Sequence, residues 1–169
     1  MQDRSRLRIV FMGTPVFAIP VLSALIDDGQ DIVAVYTMPD KPVGRSNRVV
    51  ISPLKHFAEE QGIRMFQPPK LQSEHLAQEL SSISPDVVVV AAYGRLIPLK
   101  TSGLIHLDFL NIHPSILPRY RGPSPVSTAI LNGDKVTGVT VIKLDRGMDS
   151  GPILASREAS IRPNDTTET

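Results

Sequence analysis

The chain has 169 residues, a formal net charge of +1, 41% hydrophobic and 21% charged residues, and no cysteine. That length suits about one globular domain with a sizeable core, and the missing thiols exclude disulfides, cysteine nucleophiles and cysteine-ligated zinc. So balanced a charge makes the whole no polycation, no stretch reaches the roughly 20 apolar residues of a membrane helix, and residues 1–6 lead into a strand with no apolar signal region.

Residues 7–13 form a near-continuous apolar run, as expected of a strand covered on both faces. Gly13 then turns the chain, with Thr14 predicted as the N-cap and Pro15 as the first residue of a helix to about Asp28, stopped by Gly29. A strand over 31–37 completes a β-α-β start. No G-x-G-x-x-G follows the first strand, and Pro15-Val16-Phe17-Ala18 would crowd a pyrophosphate, which argues against a dinucleotide site. The next stretch, 39–48, is polar, punctuated by Pro and Gly, and carries Lys41, Arg45 and Arg48. It reads either as a solvated loop or as a basic finger for a phosphate backbone.

Ser52-Pro53 opens a predicted helix to about Gln61, closed by Gly62, with His56 on its surface. A short strand over 64–66 is followed by an amphipathic helix over 73–82 capped by Ser73, on which His75 has no evident partner. Residues 86–92 are apolar and β-branched, a central buried strand that ends in Tyr93-Gly94-Arg95-Leu96-Ile97-Pro98.

A strand over 106–112, with His106 in a structural place at its start, runs into Asn111-Ile112-His113-Pro114-Ser115-Ile116-Leu117-Pro118-Arg119-Tyr120-Arg121-Gly122. Pro114 and Pro118 break the ladder. Asn111 and His113 are two apart, so on an extended chain they share a face. An amide donor thus stands beside a titratable ring at a strand end, where α/β proteins bind ligands. A helix ending at 132–134, a strand over 138–144, a loop bearing Asp149 and a strand over 152–161 follow. The four histidines are dispersed without metal-ligand spacing.

The run from Asn111 to Gly122 resembles the signature of the formyltetrahydrofolate-dependent formyltransferases, Asn-x-His-x-Ser-Leu-Leu-Pro-(Arg/Lys)-x-Arg-Gly. Ile116 stands where Leu is commoner, a swap that keeps volume and polarity. Leu144-Asp145-Arg146-Gly147-Met148-Asp149-Ser150-Gly151-Pro152-Ile153-Leu154 is similar to the family segment that delivers its essential Asp. Gly13-Thr14-Pro15-Val16-Phe17-Ala18 follows the tRNA-specific members, whereas glycinamide ribonucleotide formyltransferases carry a small phosphate-cradling turn there. Pro39-Asp40-Lys41-Pro42-Val43-Gly44-Arg45 resembles the insertion loop that methionyl-tRNA formyltransferases reach into the acceptor stem, with Arg45 at the family's Arg.

The resemblance implies an α/β protein with a Rossmann-like three-layer αβα formyltransferase fold and a mostly parallel central sheet. Residues 1–169 would be one catalytic domain, the chain stopping before the family's C-terminal β-barrel, with 165–169 similar to the capped start of a family helix. The implied reaction moves a formyl group from 10-formyltetrahydrofolate to the amine of initiator methionyl-tRNA, in the cytoplasm, by a monomer without metal. Asn111 and His113 would face the oxyanion and Asp149 would keep His113 protonated, ahead of Asp145 and Asp108 as rival carboxylates. Tyr93, Gly94, Arg95, Leu96, Ile97, Ser115, Ile116, Leu117 and Pro118 would line the folate site, and Lys41, Arg45 and Arg48 would meet tRNA. Arg119 and Arg121 are open between anion ligands and partners of loop carboxylates. The alternatives are formylation of an amino sugar, release of formate by hydrolysis, and a silent tRNA- or folate-binding module.

Overall fold

The structure, a computed structural model, describes residues 6–43, 48–99 and 107–169, with the backbone alone at 42, 43 and 48. Arg45 and His106 lie outside the described residues. The chain forms two compact units, Met1–Asp108 and Phe109–Thr169.

In the first unit, strand β1 (Arg8–Gly13) leads to helix α1 (Ala18–Asp27) and strand β2 (Asp31–Tyr36). Strands β3 (Lys41–Val43) and β4 (Arg48–Val50), helix α2 (Pro53–Glu60), strand β5 (Met65–Phe66), helix α3 (Ser73–Ile83) and strand β6 (Val87–Ala91) follow. The sheet here is parallel in the order β5-β2-β1-β6. Val10, Phe11 and Met12 of β1 and all five residues of β6 are buried, which is why both read as unbroken apolar runs. Leu22 of α1, Leu54 of α2 and Leu76 and Leu80 of α3 close the core. Tyr36 stacks on Phe66 and donates its hydroxyl to Glu79 at 2.8 Å. The Arg8 guanidinium donates to the carbonyls of Ile83 and Ser84, capping the end of α3 with a cation.

Three local expectations change. Thr14 does not cap α1, whose N-cap is Phe17. Its hydroxyl instead donates to the Tyr93 carbonyl at 2.9 Å and accepts from Met38 N–H at 3.2 Å, a tertiary use that outweighs the capping one. Likewise α3 is capped by Gln72, with Ser73 as its first turn residue. The stretch predicted as an irregular loop contains an antiparallel pair, β3 with β4, in which Lys41 faces Val50 and the backbone of Val43 faces that of Arg48. Val49 and Val50 supply β-branched residues that a count of charges and prolines overlooks.

The root of that hairpin is tied down. Lys55 Nζ lies 2.5 Å from Asp40 Oδ2, and Gln67 Nε2 donates to both Asp40 Oδ1 and the Met38 carbonyl. Ser52 caps α2 by accepting from Lys55 N–H at 3.1 Å. The hydrogen bonds from Lys55 and Gln67 hold the Asp40 carboxyl below its ordinary value of 3.8. A folded value below the unfolded one means stability that is present above about pH 4 and lost as pH falls through the folded value. Asp40→Asn is therefore expected to lower Tm at pH 7, with the gap to wild type closing as scans are taken at successively lower pH beneath the ordinary value of 3.8.

The second unit is antiparallel. Strands β7 (Asp108–His113), β8 (Val136–Lys143) and β9 (Ile153–Ser160) lie in that order, with helix α4 (Pro125–Leu131) between the first two in sequence. Every residue of β9 is exposed, and it is the edge strand. Residues 165–169 form hydrogen-bonded turns, with Asp165 accepting from Arg162 N–H at 2.8 Å, and no helix is described there. Among the described residues no helix is long and apolar enough to cross a membrane.

Candidate active site

Strand β7 carries Asn111 opposite Ile142 and His113 opposite Thr140. Thr140, fully buried, donates its hydroxyl to the Ser115 carbonyl at 2.7 Å and accepts from Leu117 N–H at 3.2 Å. The Ser115 hydroxyl in turn donates to the Arg119 carbonyl at 2.6 Å. These bonds curl residues 113–119 back on themselves once Pro114 has ended the strand. The curl returns Tyr120 to His113, whose Nε2 donates to the Tyr120 carbonyl at 2.9 Å.

The loop between β8 and β9 supplies the third group. Asp149, at φ +48°, presents its carboxylate to three partners. Its Oδ1 accepts from Asn111 Nδ2 at 3.2 Å, its Oδ2 accepts from Gly122 N–H at 2.9 Å, and the same Oδ2 lies 3.5 Å from His113 Nδ1. The side chains of His113 and Asp149 are 5% and 13% exposed, so this pairing is shielded from water and salt. A carbonyl only accepts, so Nε2 must carry a proton. Nδ1 then faces a carboxylate, and a ring protonated on both nitrogens is the form that both neighbours accept.

Asn111 and His113, predicted from one motif, thus both meet Asp149, predicted from another and 38 residues beyond Asn111, within one unit. Asp145 is a turn residue: it accepts from Gly147 N–H at 2.8 Å and from the Ser150 hydroxyl at 2.9 Å. Asp108 is exposed at the start of β7. Of the run expected to line a folate site, Ser115 and Leu117 are buried, Ile116 is half-buried and Pro118 is exposed. Arg119 pairs with Asp134, its Nη2 lying 3.1 Å from Oδ2, while Arg121 is exposed.

In the first unit, Tyr93 is buried, and its hydroxyl has no hydrogen-bond partner among the described residues. Burial pushes that phenol's pKa up. Gly94 sits at φ +87°, Arg95 donates to the Pro68 carbonyl at 2.8 Å, Leu96 is 86% exposed, and the Ile97 carbonyl accepts from Leu99 N–H at 2.8 Å. Lys41 is exposed on β3. The turn after β1 is closed on itself, because Ala18 and Ile19 N–H donate to the carbonyls of Pro15 and Val16. No backbone cradle for a phosphate is left by those two donors. Sequence reasoning missed the Tyr120 carbonyl, Gly122 N–H and Thr140; backbone groups leave no side-chain signature, and Thr140 reads as an ordinary strand residue.

A family model described as formyl transferase matches residues 7–169. The chain belongs to the formyl transferase family. It is 43% identical over 164 residues to the methionyl-tRNA formyltransferase of Caldanaerobacter subterraneus subsp. tengcongensis, covering 96% of the chain and 53% of that protein. The methionyl-tRNA formyltransferase of Myxococcus xanthus is 47% identical over 163 residues, covering 96% and 52%. The chain therefore spans about half the length of these curated relatives. Its fold is the Rossmann-like one of the family: a solved phosphoribosylglycinamide formyltransferase from Bacillus halodurans matches with TM-score 0.74 at 27% identity, over 95% of this chain and 84% of that one.

Proposed function

We propose that this formyltransferase chain carries the chemistry for moving a formyl group from 10-formyltetrahydrofolate to the amino group of initiator methionyl-tRNA. The observation that carries the reading is the Asp149 carboxylate joined at once to Asn111, His113 and the Gly122 backbone. The acceptor is inferred from relatives named methionyl-tRNA formyltransferase at 43–47% identity. The closed turn after β1 supports it further, since a small acceptor such as glycinamide ribonucleotide, whose phosphate would sit at that turn, would want free donors there.

The donor group supplies the formyl carbon, whose oxygen gains negative charge as an amine attacks. The residues present fit that demand. Asn111 uses one amide N–H on Asp149, and an amide has a second to offer the developing oxyanion. Both ring nitrogens of His113 face protein acceptors, so its contribution is the positive charge of the imidazolium rather than a direct bond. Asp149 balances that charge and fixes the Asn111 amide. It is also the base best placed to take the proton that the attacking amine must lose, directly or through one water, and to pass it to the folate N10 as the bond between N10 and the formyl carbon breaks. Pro118 and half-buried Ile116 offer apolar surface for a pterin, and the sequence offers Lys41, Arg45 and Arg48 as cations for tRNA.

The test is formyl transfer from 10-formyltetrahydrofolate to methionyl initiator tRNA, run beside a panel of amino-sugar acceptors with the full-length protein. Formyl-methionyl-tRNA is the expected product. A formylated sugar with unmodified tRNA would replace the acceptor and keep the chemistry. Folate binding without any transfer would favour the silent module.

A further inference from the structure

We infer that Asp134 and the Tyr120 phenol are positioning residues for His113, holding its ring in one tautomer by aiming the Tyr120 carbonyl at Nε2. The inference rests on the reading of Asn111, His113 and Asp149 as the site. It starts from an oddity in the backbone. Tyr120 stands at φ +56°, a left-handed conformation that an aromatic L-residue adopts at a cost. Its sequence neighbours are Arg119 and Arg121, and neither residue type favours that conformation. Something outside the local backbone must hold it there.

The phenol is what is held. Its hydroxyl donates to Asp134 Oδ2 at 2.6 Å and accepts from Asn132 Nδ2 at 3.0 Å and Arg119 Nη2 at 2.9 Å. Arg119 Nη2 also reaches both oxygens of Asp134, at 3.2 and 3.1 Å. Asp134 is itself fixed, because its N–H donates to the Ala129 carbonyl at 3.0 Å just past the end of α4. A chain of contacts therefore runs from the end of α4, through Asp134 and the Tyr120 ring, to the carbonyl that His113 Nε2 meets at 2.9 Å.

The consequence is chemical. With its Nε2 proton committed to a carbonyl, the neutral ring must present bare Nδ1 toward Asp149, and a second proton can be added only between those two groups. If the phenol were released, Tyr120 could relax to negative φ and its carbonyl would swing away. The neutral ring would then move its proton to Nδ1, against Asp149, and leave Nε2 bare. The tautomer is thus a direct readout of the clasp.

The experiment uses full-length protein labelled with 15N-histidine, with long-range proton–nitrogen spectra recorded over a pH series so that the singly protonated ring is read directly. Wild type is expected to show the Nε2–H tautomer. Asp134→Ala and Tyr120→Phe are expected to move a large share of it to Nδ1–H and to lower kcat about tenfold with KM unchanged, because the charged ring then loses the Nε2 acceptor that holds it against Asp149. Asn132→Ala, which removes one donor and leaves the Asp134 bond, should keep the wild-type tautomer. Dispersed amide resonances establish that each variant is folded, and Asp134→Ala carries the test alone if Tyr120→Phe is not. Folded Asp134→Ala protein that keeps the Nε2–H tautomer overturns the inference. A tautomer that moves in a protein whose wild type formylates no acceptor would instead overturn the proposed reaction and leave the positioning role standing.

Discussion

Asp149→Asn is expected to lower kcat by roughly a thousandfold, with KM for both substrates little changed, in the range found when a general base or an oxyanion-site group is removed. The isostere keeps the shape and breaks the pattern of donors. Both carboxylate oxygens now accept: one from Asn111, the other from Gly122 N–H beside His113 Nδ1. An amide has one acceptor, so its NH2 must face either the Asn111 amide or the Gly122 N–H, donor against donor. It also removes the negative charge opposite His113. Steady-state kinetics beside Asp145→Asn give the contrast, since among the described residues the Asp145 carboxylate bonds within its own turn, to Gly147 N–H and the Ser150 hydroxyl. Equal losses in the two variants would mean that the loop, rather than the carboxylate, had been damaged.

Gly151→Ala is expected to be the most damaging single change to the same loop. A Cβ there would lie 1.8 Å from the Lys143 carbonyl oxygen, and that atom belongs to the last residue of β8. The backbone is pinned at this point, because Lys143 N–H donates to the Pro152 carbonyl at 3.0 Å. Relief requires parting the strands where Asp149 is delivered, so stability should fall by about 3 kcal/mol or more, the upper end of overpacking costs. The denaturation midpoint and kcat should fall together. Gly133→Ala is the control: at φ +69° with nothing within 4 Å, it meets backbone strain alone, about 1–2 kcal/mol, and activity should survive. If Gly151→Ala proves as mild as the control, the loop is softer than its contacts imply.

How much of this was legible beforehand divides along physical lines. β1 and β6 announced themselves because burial on both faces leaves no room for polar residues. Asn111, His113 and Asp149 could be singled out because strand geometry pairs the first two and a motif supplies the third, and the structure joins both to the Asp149 carboxylate. Both helix caps were misplaced: Thr14 fits a local rule that its tertiary bond to Tyr93 overrides, and Ser73 lies one residue inside the helix it was expected to cap. The β3–β4 pairing was hidden by a composition dominated by Pro, Gly and charge. What surrounds His113 was least visible, since a carbonyl and an N–H are present at nearly every residue and only the fold chooses which ones meet the ring.

Strand β9 bears on a different matter, how the protein behaves when concentrated. It runs for eight residues along a sheet edge with Ile153 and Leu154 about half exposed. A long edge with apolar side chains is a template on which a foreign strand can add. Arg157 and Glu158 sit in its middle as opposite charges, so an approaching strand must strip water from both before it can pair. Those two side chains are the charges that guard this edge.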